Sequence, residues 1–157
     1  MTDTPKSLLS LPQFAECNAS VLRQAARAIG QLYDGHLAQA GLRGGQFSLL
    51  SRLRREGAMG VNALAAAAGM DRTTLSRVLK PLERDGLVEG VISPADRRAR
   101  LLKLTALGEA RFVEALPHWE AAQAAFETAY GVDEAARLRA MLRLMAPGGA
   151  ASLQSGG

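Results

Sequence analysis

The sequence predicts a mainly α-helical chain with a small β-wing: a winged helix-turn-helix lobe set between long N- and C-terminal helices that serve dimerisation. Three observations carry that prediction. Ala, Leu, Arg and Glu dominate the composition and β-branched residues are scarce, which favours helix over most of the length. The stretch DRTTLSRVLKPLERDG has Asp71 placed as an N-cap, with Leu75, Val78, Leu79 and Leu82 at the spacing of one buried helical face. Directly after it, VEGVISPADRRARLLKLT reads as strand, basic turn and strand.

The chain has 157 residues, 48% of them hydrophobic and 22% charged, enough for a sizeable core in one domain or two closely packed lobes. A single Cys rules out an intrachain disulfide and a multi-Cys metal site, and fits a reducing, cytoplasmic setting. No run of 18 apolar residues and no basic-then-apolar leader is present, so neither a membrane span nor export is expected. The net charge of +4 is unevenly spread: residues 43–103 hold twelve Lys or Arg against six Asp or Glu, and the rest of the chain is net negative. A basic centre between near-neutral or acidic helical ends suits one lobe meeting phosphate and the remainder meeting protein.

Taken in order, residues 1–10 are polar, contain Pro5 and are expected to be flexible. From Pro12 to about Gly41 the chain reads as one long helix, with Val21, Leu22, Ala25, Ala28, Ile29, Leu32, Tyr33 and Leu37 in a stripe wider than one neighbouring helix needs. Gly44-Gly45 are expected to break it from a second helix, about Gln46 to Glu56, with Phe47, Leu49, Leu50 and Leu53 inward. Residues 60–69 give a short third helix, with Gly60 at the N-cap, Gly69 at the C-cap, and Val61, Leu64, Ala65 and Ala68 inward. Gly86 ends the fourth helix, residues 87–92 and 101–104 form two strands, and SPADRRAR is the hairpin tip. Thr105 caps a helix to about Ala129 that Pro117 should kink, Gly131 breaks it, and Asp133 should cap a last helix to about Met145. The tail 146–157 is expected to be flexible. The lobe thus spans about 42–105 within a domain of 11–145, flanked by dimerisation helices of about 12–41 and 106–145.

The fourth helix turns a polar face outward. Arg72, Thr73, Ser76, Arg77 and Lys80 lie largely opposite its apolar face, a helix of this size fits a major groove, and the hairpin tip can reach a neighbouring minor groove. An enzyme would need a nucleophile, an acid–base pair or a metal cluster in a cleft, and none is apparent. No metal site or cofactor is expected. A helical dimerisation or adaptor protein would explain the long helices, but not the exposed basic face and wing.

These residues also carry a family resemblance. LRQAARAIGQLYD, GLRGGQFSLLSRL, VNALAAAAGMDRTTLSRVLKPLERDGLVE and ADRRARLLKLTALGEA resemble the MarR family of transcriptional regulators, from about residue 14 to residue 145. The resemblance implies a homodimer whose terminal helices interlock and whose winged lobes grip a pseudo-palindromic operator in double-stranded DNA, as a repressor. It puts Arg72, Thr73, Thr74, Ser76, Arg77 and Lys80 in the major groove, and Arg97 and Arg98 of the wing near the minor groove. The wing departs from the commoner pattern at Ser93 and Ala95, while the inner Asp96-Arg97-Arg98 is intact. Asp96 repels phosphate, so it is expected to brace the loop by pairing with Arg98 or another wing Arg.

Relatives of this family commonly bind a small aromatic or phenolic effector between the dimer helices and the winged lobe. Tyr33, His36, Phe47 and Trp119 are the residues here that could line such a crevice. Peroxide-sensing relatives carry a reactive Cys in the first helix, which makes Cys17 a possible redox site. Its surroundings argue for an inert thiol: no basic residue lies within four positions, and Glu16 is adjacent.

Overall fold

The computed structural model describes residues 17–145, so the stretches 1–10 and 146–157, expected from the sequence to be flexible, and the expected helix start at Pro12 lie outside the described residues. Cys17 occupies the N-cap of α1 (Asn18–Leu37). A single 3-10 turn, Ala38–Ala40, follows, and Gly41 then takes a φ of 67°, a left-handed conformation that side chains with a Cβ disfavour. The first helix therefore tightens before Gly41, and the break lies there rather than at Gly44-Gly45. Those two glycines instead open α2 (Gly44–Glu56). They can do so because side chains take up the orphan donors of a helix start. Gly44 N–H donates to Asp34 Oδ1 at 2.7 Å, and Arg43 N–H donates to Gln46 Oε1 at 2.9 Å.

The lobe continues through β1 (Met59–Gly60), α3 (Val61–Ala68), α4 (Arg72–Arg84), β2 (Val88–Ile92) and β3 (Arg100–Leu104). Its sheet is antiparallel in the order β1-β3-β2, with Met59 opposite Leu102, Val88 opposite Leu104 and Ile92 opposite Arg100. β1 was not expected, because two residues carry no period that a sequence could show. Thr105 caps α5 (Ala106–Tyr130) by accepting Gly108 N–H at 3.0 Å. This helix runs continuously from Ala106 to Tyr130 with Pro117 inside it. Gly131 separates it from α6 (Val132–Met145). Asp133 lies inside the first turn of α6 and not at its cap, where with Glu134 it complements the positive end of the helix dipole.

One apolar core joins the end of α1 to the lobe and the first half of α5. Leu37, Phe47, Leu50, Leu53, Leu64, Leu75, Leu82, Val88, Leu102 and Phe112 belong to it, and no polar side chain among the described residues is buried. The arms are different. Of the eight-residue apolar stripe on α1 only Leu37 is buried, and Val21 and Leu22 are 52% and 41% exposed. On α6, Met141, Leu142 and Leu144 also face solvent in the single chain. Burying one such side chain is worth roughly 1.5–3 kcal/mol, so these faces favour a second surface laid on them.

Candidate nucleic-acid interface

The helix-turn-helix is made by α3, a tight turn and α4. Gly69 ends α3 in the left-handed conformation at φ 64°, and Met70 N–H donates to Ala65 O at 2.9 Å. Asp71 then caps α4, its Oδ1 accepting Thr74 N–H at 2.7 Å and its Oδ2 accepting the Thr74 hydroxyl at 3.0 Å. The Thr74 backbone N–H, and next its hydroxyl, hold the Asp71 carboxyl below the usual carboxylate range. Asp71 is thus ionised and engaged, and its charge is matched to the positive end of α4.

α4 buries Leu75, Leu79 and Leu82. On the other side Arg72, Thr73, Ser76, Arg77 and Lys80 are exposed, as the spacing predicts. Thr74 differs from the other five: it is half-buried and its hydroxyl is committed to Asp71, so of the six it is the cap residue rather than a free contact. Pro81 stands inside α4, where the helix continues to Arg84.

The wing is a closed hairpin. Ser93 N–H donates to Ala99 O at 2.8 Å, and Ala99 N–H donates to Asp96 O at 2.9 Å. Asp96 braces the tip, but through the backbone: its Oδ1 accepts Arg98 N–H at 2.9 Å, and no ion pair to a wing Arg forms among the described residues. The reason is local geometry, since an Asp two residues before a turn N–H closes an Asx turn with no side-chain entropy spent on a long guanidinium arm. That leaves Arg97 and Arg98 both exposed.

Charge pairing separates the tip from its stem. Among the described residues Arg72, Arg77, Lys80, Arg97 and Arg98 form no ion pair, whereas lower on the wing Arg100 pairs with Glu83 at 2.9 Å and Lys103 with Glu89 at 3.1 Å. These five uncompensated cations lie on the outward side of α4 and at the hairpin tip. Such a surface can take up phosphates without first breaking internal pairs. Sequence reasoning missed Arg100 and Glu83, which are 17 positions apart. Gly90, inside a strand, was the available signal of a close approach.

A second feature lies where α1 meets α2. A cleft of about 590 Å³ is lined by Tyr33, Phe47 and Trp119 together with Asp34, Ser48, Ser51, Arg52 and Arg55. Phe47 is only 6% exposed and stacks on Phe112 at 4.9 Å and Trp119 at 6.0 Å, so it forms the floor. The Tyr33 hydroxyl donates to Gln123 Oε1, and burial raises its pKa, with Arg139 lowering and Glu127 raising it. His36 is not part of this cleft; it lines a shallow recess with Gln31, Leu32, Gly35 and Gln39. One residue short of the buried Leu37, it is turned about 100° away from the inward face.

Cys17 is exposed and makes no capping hydrogen bond. Tyr33 gives its hydroxyl to Gln123 and Tyr130 packs its ring 4.8 Å from Phe126, so each tyrosine is engaged elsewhere. Among the described residues no three His, Cys, Asp or Glu side chains gather as metal ligands would, and no helix is long and apolar enough to cross a membrane.

Comparison with known proteins identifies the arrangement. The model of the MarR family matches residues 43–99, the stretch from the N-cap of α2 to the far side of the wing tip. The M. tuberculosis transcriptional regulator MosR is 35% identical over 84% of this chain and 96% of its own, with a TM-score of 0.72. A structure of the same regulator in complex with DNA gives 37% identity over 82% of this chain and 92% of that one, also at 0.72. Bordetella bronchiseptica BpsR, whose DNA binding is described as regulated by 6-hydroxynicotinic acid, is 27% identical over 84% and 94%, at 0.76. No curated protein matches the chain. At this identity, over nearly the whole of its relatives' length and with this lobe, the chain belongs to the MarR family of homodimeric, DNA-binding winged helix-turn-helix transcriptional regulators, which bind DNA and are not enzymes.

Proposed function

We propose that the protein is a cytoplasmic repressor whose homodimer reads an operator with α4 and its wings, and which a small anionic aromatic molecule releases. The observation that carries the DNA reading is the set of cations without carboxylate partners on one side of the lobe, Arg72, Arg77 and Lys80 on α4 with Arg97 and Arg98 at the tip. Arg77 has the planar fork that suits guanine, Thr73 and Ser76 suit base edges or phosphate, and Lys80 suits phosphate. MosR in complex with DNA supports this use of the lobe in a relative.

The effector reading rests on the chemistry of the cleft between α1 and α2. Tyr33 and Trp119 offer aromatic surface, Phe47 a flat floor, and Arg52 and Arg55 two guanidiniums that share the single carboxylate of Glu56 at 3.9 and 3.2 Å. An aromatic acid matches that lining, with its ring on the apolar wall and its carboxylate toward the guanidiniums. Regulation of BpsR by 6-hydroxynicotinic acid supports it. A ligand that fits the DNA-incompetent spacing of the two α4 helices better than the competent one shifts the population by that differential affinity, ordinarily about 1–3 kcal/mol of coupling.

Binding to an operator selected from genomic fragments, measured by anisotropy against a scrambled duplex, tests both parts. Preference for the operator that falls on adding hydroxybenzoate- or hydroxynicotinate-type acids is the expected result. Equal affinity for the two duplexes would remove the specificity. If peroxide releases the wild type but not Cys17→Ser, and no aromatic acid acts, control passes to the thiol.

A further inference from the structure

Arg100 is the first residue of β3, opposite Ile92 at the far end of the hairpin. Its side chain lies on the same face as the buried Leu102 and Val88, the face that packs on the lobe. Instead of projecting toward the tip, it crosses the neighbouring strand. A Cβ built on Gly90 would fall onto Arg100 Nε and stand 2.5 Å from its Cζ and Nη2, so the guanidinium rests directly on the bare backbone of β2. From there Nη2 reaches Glu83 Oε1 at 2.9 Å, in the last turn of α4.

Glu83 is an odd residue to find at that place. It follows Ser76 and Lys80 at the spacing that continues the outward face of α4, where phosphate would repel it. It also stands near the negative end of the helix dipole. Gly90 is equally unexpected, because a glycine in a strand weakens it and its φ lies outside the region that demands one. Both choices make sense together if the crossing of Arg100 is what they serve.

We propose that Arg100 is a positioning residue: seated over Gly90 and paired with Glu83, it ties the wing to the C-terminal end of the recognition helix, so that Arg97 and Arg98 meet the DNA at a fixed distance from Arg72 and Arg77. The pair lies within one chain, and it joins the two elements that the DNA reading requires to act together. The inference rests on that reading of the wing. It assigns Arg100 a different role from the tip arginines, since its charge is spent on Glu83 and is withheld from the duplex.

Gly90→Ala tests this without altering any charge. The three heavy atoms nearest to the added methyl all belong to the flexible end of Arg100, which can swing aside, so the fold should persist; Arg100→Gln is the companion variant should Gly90→Ala fail to fold. Each is expected to weaken operator binding about two- to five-fold, the range that an exposed ion pair supports. Each should also lose hydroxyl-radical protection in the flanking minor grooves while protection under α4 remains. In an Arg97→Ala/Arg98→Ala background neither change should have a further effect, because Arg100 acts only through the tip. Unchanged or tighter binding by Gly90→Ala, or a loss from Arg100→Gln that adds in full to that of the tip double variant, would overturn the proposal and make Arg100 an ordinary phosphate contact. If the tip double variant itself leaves affinity and flanking protection intact, the wing reading fails first, and the two failures are thereby distinguished.

Discussion

Asp71, Thr74 and Arg77 are within seven positions of one another and have three different tasks. Asp71 accepts two hydrogen bonds from Thr74 and begins the helix, while Arg77 stands six residues further on, exposed and without an ion pair among the described residues. Replacing Arg77 with Ala should cost roughly 1–3 kcal/mol of operator binding and relax the preference at one base pair per half-site, as for a lost bidentate contact to a base. Lys80→Ala should weaken operator and scrambled duplex alike, as a lost phosphate contact does. Gel-shift titration of both variants on single-base operator variants separates the two roles, and equal effects on every duplex for Arg77→Ala would make it a backbone contact. At this scale the sequence was informative where one residue had one local task. The Asp71 cap, the Thr105 cap and the exposed arginines were all legible, because each depends on neighbours three or four positions away. It was least informative where a side chain chose between a near backbone donor and a far charge. Asp96 takes the Arg98 N–H instead of a guanidinium, and Thr74 turns to the cap instead of outward.

The start of α5 is held close against the wing. Thr105 N–H donates to Leu87 O at 3.1 Å and its hydroxyl donates to Gly86 O at 2.7 Å, which draws the first turn of α5 onto the start of β2. Gly108 lies in that first turn, is buried, and has no room for a side chain: a Cβ there would collide with the Leu87 carbonyl oxygen and come 2.9 Å from Leu104 Cδ1. Gly108→Ala should therefore lower stability by about 1–3 kcal/mol, the cost of overpacking against groups that cannot yield, despite the better helix propensity of Ala. A urea midpoint equal to that of the wild type would show that the junction yields to the added methyl. Helices with a cap and a long apolar period were legible at this level, and α2, α3, α4 and α5 fall within a few residues of their expected ends. The strand β1 was not, because a two-residue strand exists only through its partner β3. Gly44 and Gly45 misled for a related reason: their place inside α2 depends on Asp34, ten residues away on another helix.

In the whole molecule the apolar surface is divided between a core within the chain and faces that need a second chain. The lobe closes on itself around Leu50, Leu64, Leu75 and Leu102, while Val21, Leu22, Met141 and Leu144 on the terminal helices remain open in the single chain. The width of the α1 stripe signalled this in the sequence; which aromatics gather at one cleft did not, since Tyr33, Phe47 and Trp119 come from three helices and His36 from the wrong side of one. The sheet order β1-β3-β2 bears on how the lobe comes apart. β3 pairs with strands on both sides, so the chain from Gly60 to Leu101, with α3, the turn and α4 inside it, is a loop tied at its base. Freeing the recognition helix alone would release little backbone entropy while the tie holds, and would still expose Leu75, Leu79 and Leu82. The lobe should thus open as one cooperative unit, and native-state hydrogen exchange should give the amides of Leu79 and Leu102 a common opening free energy. A lower value for α4 alone would mean that the helix melts independently. A reader built this way engages DNA either whole or not at all, and partly ordered forms of it contribute little to non-specific binding.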